Sequence, residues 1–77
     1  MKIINFISTV KHSDDEEIGI KPYTIRKLTD RLKRLSEGAT HVRIQRAYTK
    51  RHFIRKITHV LDWDGNRIFA WNPNNNI

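Results

Sequence analysis

Arg43, Arg46, Lys50, Arg51, Arg55 and Lys56 fall in a stretch that contains no aspartate or glutamate, with Tyr48 among them. Guanidinium and ammonium groups at this density suit phosphate, and rings beside them can stack on bases. The excess of positive charge runs upstream as well. Twelve of the chain's fifteen lysines and arginines lie between Lys21 and Lys56, where Asp30 and Glu37 are the only acids. Such a field concentrates polyanions and speeds their capture, so nucleic acid, or a protein complex that handles it, is the expected partner. The expected contact set is Arg43, Arg46, Lys50, Arg51, Arg55 and Lys56, with Arg26, Lys33 and Arg34 widening the field and Tyr48 as a neighbouring ring.

Other chemistry is poorly provided for. His12, His41, His52 and His59 lack the spacing of a metal site. On a regular strand His52 and His59, seven apart, would point to opposite faces. The acidic run Asp14, Asp15, Glu16 and Glu17 has no partner histidine or glycine scaffold, and its expected role is to neutralise part of the basic field. Asp62, Asp64, Gly65 and Asn66 resemble a calcium loop only loosely, because the glycine comes too early and no glutamate closes the site. With no phosphate-binding glycine loop, nucleophile elbow or paired-histidine motif, the expectation is a non-enzymatic protein without a cofactor.

The chain has 77 residues, a formal charge of +7 and no cysteine. A domain this small buries roughly 60% of the surface its unfolded chain exposes, and it lacks disulfide or thiolate staples. Homodimerisation is therefore expected as a source of added stability. No apolar run approaches the length of about 18–20 residues that a membrane span needs, and residues 3–10 do not continue into a cleavage site. A cytoplasmic protein that does not enter the membrane is the expectation.

The elements that must hold the basic set follow from periodicity. Residues 1–10 are apolar at both parities, as in a strand covered on both faces, and the polar, acidic residues 11–21 suggest a loop. Ile25, Leu28, Leu32 and Leu35 after Pro22 predict an amphipathic helix that stops at Gly38. On it Arg26 with Asp30, Asp30 with Arg34, and Lys33 with Glu37 could pair. Alternation over 41–48 predicts a second strand. Residues 53–63 are β-rich but also fit a helical stripe, so a helix ending near Leu61 stays open. Asp64 and Gly65 form a tight-turn dipeptide, which favours a hairpin between 53–63 and 67–71. The resulting fold is a single α+β domain over residues 1–72, ordered β-α-β-β-β, with one helix packed on an antiparallel sheet and a flexible tail at 73–77. The sheet face not covered by the helix is expected to meet a subunit or partner.

The opening strand beginning Met1-Lys2, the acidic loop, the basic helix and the late Asp64-Gly65-Asn66-Arg67 hairpin together resemble small phage-encoded anti-CRISPR proteins of type I-F. That likeness is one of architecture and covers most of the chain, without a motif. It implies an inhibitor in a bacterial host cell whose basic residues occupy nucleic-acid-binding or acidic surfaces of a host ribonucleoprotein. Three functions therefore compete: a nucleic-acid-binding module, an anti-defence inhibitor anchored by Trp63, Phe69 or Trp71, and a structural dimer.

Overall fold

The computed structural model describes residues 1–73, so the expected tail lies almost wholly outside the described residues. The chain is α+β, with five strands and two short helices: β1 (Ile3–Ser8), α1 (Val10–Glu17), β2 (Tyr23–Lys27), α2 (Asp30–Ser36), β3 (His41–Arg46), β4 (His52–Trp63) and β5 (Asn66–Trp71). The strands form one mixed sheet in the order β1-β3-β4-β5-β2, with β1 parallel to β3 and every other pair antiparallel. The expected meander of β3, β4 and β5 is present, and the open choice over residues 53–63 resolves as strand.

Two local readings are corrected. The expected loop at 11–21 holds α1, whose start is capped by Thr9, its hydroxyl accepting from the backbone N–H of His12 at 3.3 Å. This helix has no apolar stripe and is held instead by polar contacts to the β3–β4 hairpin, so hydrophobic periodicity could not reveal it. The expected helix from Pro22 divides into a strand and a shorter helix. Tyr23, Thr24 and Ile25 pair with Ala70, Phe69 and Ile68 of β5, and β-branched and aromatic side chains suit that pleated surface. The helix begins only after Thr29, whose hydroxyl accepts from the Leu32 N–H at 3.1 Å. Consequently Leu32 is buried, Leu28 is half-buried in the linker, and Ile25 and Leu35 stand exposed. None of the ion pairs expected on one long helix forms among the described residues. Thr29→Ala is expected to cost about 1 kcal/mol of stability, measured by denaturant unfolding, because it leaves a first-turn N–H without its cap.

Strand β4 is long because it serves two neighbours: its first half pairs with β3 and its second with β5, with a register shift between Ile57 and His59. A bulge of this kind bends a strand and exchanges the faces of all that follows. Phe53 and Ile57 lie on the core side, but beyond the bulge Leu61 and Trp63 face outward. The same exchange places His52 and His59 on one face, contrary to the regular-strand expectation.

The bend curls the sheet until its two edge strands approach each other. Arg26 of β2 donates to the Ile7 carbonyl at 3.1 Å and to the Ser8 hydroxyl at 2.8 Å, both on β1. The concave side holds the core of Ile4, Val42, Ile44, Phe53, Phe69 and Trp71, with Leu32 of α2 closing over it. Helix α1 packs toward the β3–β4 turn. Both helices thus serve the concave side, and among the described residues no element covers the convex side of the sheet.

Candidate functional site

The basic residues divide according to the face on which the strand alternation places them. Arg46 and Arg55 alternate onto the concave side, where they meet the acidic helix. Arg46 pairs with Asp14 at 3.0 Å, and Arg51, just before β4, pairs with Glu17 at 2.7 Å. Arg55 donates to the Glu17 backbone carbonyl at 3.1 Å and lies 4.8 Å from the Phe53 ring centroid. Cationic donors at that end of α1 satisfy a terminal carbonyl and oppose the negative end of the helix dipole. The partners of Arg46 and Arg51 thus come from more than thirty residues upstream. The role expected of the acidic run, to neutralise part of the basic field, is what the geometry provides.

Arg26 is also committed to structure. Besides bridging the sheet edges it donates to the Thr24 hydroxyl at 3.1 Å and lies 4.5 Å from the Phe6 ring centroid. Burial lowers its pKa from the ordinary arginine value, and the Glu16 carboxylate works in the other direction. Glu16 itself is fully buried and has Lys21 Nζ at 3.6 Å. Lys33 and Arg34 lie at exposed positions on α2. Lys50 and Tyr48 sit at the hairpin turn, where Tyr48 is fully exposed and has a positive φ of 64°.

Arg43 and Lys56 remain, and strand register places both on the convex face. There, Ile3, His41 and Lys56 form one row across β1, β3 and β4, followed by Asn5, Arg43 and Ile54, then Ile7, Gln45 and His52. Past the bulge the convex rows of β4, β5 and β2 are His59, Ala70 and Tyr23; Leu61, Ile68 and Ile25; and Trp63, Asn66 and Lys27. No aspartate or glutamate occupies any of these positions. The side-chain carboxylates among the described residues lie on the helices, at Glu37 just past α2, at the Asp64 turn, or at Asp62 on the concave side. Asp62 accepts from Arg67 at 2.6 Å; this hydrogen bond holds its pKa below the usual carboxylate range and raises that of Arg67.

Among the described residues the convex face therefore carries no acid, and it is basic in one half and apolar in the other. Trp63 is 68% exposed there, and the rise per strand residue puts it about 20 Å from Lys56. Trp63 therefore keeps the anchor role considered for it, whereas Phe69 and Trp71 lie buried and cannot serve as anchors. Lys27, Trp63 and the three convex histidines were not in the expected contact set. They enter it through the sheet register, which composition and spacing did not supply. Among the described residues no group of histidines and acids could hold a metal ion, and no helix is long and apolar enough to cross a membrane.

Comparison of the chain with protein-family models, curated proteins and solved structures found no match.

Proposed function

We propose that the protein is a non-enzymatic module that binds single-stranded nucleic acid across the convex face of its sheet. The observation that carries this reading is the absence of carboxylate from that face among the described residues, alongside Arg43, Lys56, Lys27 and an exposed Trp63. A twisted sheet surface offers the splayed bases of a single strand a platform, and an indole can stack on any base. Arg43 and Lys56 supply phosphate contacts in the basic half, while Lys27 stands in the same row as Trp63. The span of about 20 Å suits a few nucleotides of extended strand.

The test is a titration of the protein with oligo(U) and oligo(dT) at several salt concentrations, followed through Trp63 fluorescence. Trp71 is buried and serves as the internal reference. Quenching is expected, with a log-log salt dependence of about 0.7 per phosphate neutralised. An affinity that does not change with salt, or binding without quenching, would overturn this reading.

A protein or nucleoprotein partner is the second reading, favoured by the contiguous apolar positions Tyr23, Ile25, Ile68, Leu61 and Trp63 on the same face. Exposed apolar patches with an aromatic centre commonly anchor protein contacts. Under this reading the protein acts as the anti-CRISPR resemblance implies, and binding to the partner depends on Leu61 and Trp63 and responds weakly to salt.

A further inference from the structure

The two edges of the sheet do not pair with each other. Where they face one another they enclose a cleft of about 480 Å³, lined by β1, the start of α1 and β2. The backbone groups available there follow from the ladder. The Trp71 N–H donates to the Pro22 carbonyl and the Leu28 N–H to the Gly65 carbonyl, so in this antiparallel register Thr24 and Arg26 also turn their backbone groups toward β5. The N–H and C=O groups of Tyr23, Ile25 and Lys27 consequently point to the open side. On β1 the Ile7 carbonyl is already taken by Arg26. On β2 none of the outward groups has a partner among the described residues, so β2 is the more fully open of the two edges.

The side chains around this row differ on its two sides. Arg26, Lys21 and His12 line the cleft with the hydroxyls of Ser8 and Thr24, and Lys21 Nζ lies 3.2 Å from His12 Nδ1. No carboxylate lines the cleft among the described residues; Glu16, 3.6 Å from Lys21 Nζ, is fully buried. Tyr23 and Ile25 of β2, with Ile7 of β1, present apolar surface on the convex side.

We propose that β2 accepts an extended acidic peptide as an added strand, with carboxylates alternating with apolar residues. Strand addition supplies main-chain hydrogen bonds to Tyr23, Ile25 and Lys27, and the alternation of a strand sorts the peptide's side chains. Those turned to the concave side meet Lys21 and His12, with the charge of the structurally bonded Arg26 adding to the positive field, which selects carboxylates. Those turned to the convex side lie on Tyr23, Ile25 and Ile7, which selects β-branched aliphatics. An unpaired edge beside a positive cleft is otherwise a liability, because it can template unwanted pairing.

The test uses the whole protein and the peptide acetyl-Val-Glu-Val-Glu-Val-Glu-amide, with binding measured by calorimetry. Its counterparts are the Val-Lys peptide and a Val-Glu peptide N-methylated at alternate amides. Ile25→Pro removes an N–H that the β2–β5 ladder does not use, so the fold tolerates it while the added strand loses a donor. His12→Glu places a carboxylate in the cleft from an exposed position on α1, and it decides the matter if the proline variant fails to fold. Binding of the Val-Glu peptide, weakened at least tenfold by N-methylation and by either substitution, is the expected result. Equal binding of the Val-Lys peptide, no binding of the Val-Glu peptide, or full affinity in both variants would overturn the proposal. Neither substitution touches Arg43, Lys56 or Trp63, so failure here leaves the nucleic-acid reading to its own test.

Discussion

Phe69→Ala is expected to destabilise the fold by about 3–5 kcal/mol, a large part of the 5–15 kcal/mol that typically holds a domain together. The ring is fully buried and lies 5.3 Å from the Phe6 ring centroid, and its strand neighbours are Thr24 of β2 and Val60 of β4. It therefore fills the concave side at the point where the curled sheet brings β1 and β2 toward each other. Truncation removes the transfer free energy of the ring and leaves a cavity. The surrounding strands cannot collapse into that cavity without opening their ladders. In guanidinium unfolding the midpoint should fall sharply with little change in slope. Trp63→Ala, at an exposed position, should stay within about 0.5 kcal/mol of the parent. A Phe69→Ala cost near that of Trp63→Ala would mean that the curl of the sheet is not held together through this ring.

What the sequence made legible follows the locality of the forces involved. The β4–β5 hairpin was readable because Asp64 and Gly65 carry the turn themselves, with φ values of 51° and 73°. The β3 strand was readable from Val42 and Ile44, which are fully buried at alternating positions. Helix α1 was not, because its stability rests on Asp14 and Glu17 meeting Arg46 and Arg51, partners that only the tertiary fold brings near. The Ile25, Leu28, Leu32 and Leu35 spacing fitted a helix well, but the β-branched start at Thr24 and Ile25 and the pairing offered by β5 outweighed it. Thr29 followed by Asp30 was an available signal for the true helix start, since threonine caps and an acid in the first turn favours the dipole. The site was displaced for a related reason. A single bulge in β4 carried Leu61 and Trp63 to the convex face, while alternation set Arg46 and Arg55 on the concave side, where they and Arg51 are engaged by α1.

Reversing Arg43 and Lys56 together, as Arg43→Glu with Lys56→Glu, should weaken single-strand binding by about 100-fold or more at moderate salt. Each side chain stands for a charge-assisted phosphate contact worth about 1.5–3 kcal/mol, and the introduced carboxylates add repulsion. The slope of log affinity against log salt should shrink by about 1.4. The informative control is Arg31→Glu with Arg34→Glu, which changes the net charge equally from exposed positions on α2, on the concave side of the fold. If long-range attraction alone drives binding, the two double variants should lose affinity alike, since a diffuse field does not distinguish where charge is removed. If the convex face is the contact surface, the α2 variant should lose less than about tenfold, mainly through slower association, and should still quench Trp63 at saturation. Arg51→Glu sharpens the contrast. It places a carboxylate beside Glu17 and so should lower stability, yet it leaves every convex position unchanged. A folded Arg51→Glu protein that binds with near-parent affinity would locate the contact on the convex face, away from the paired side of the hairpin.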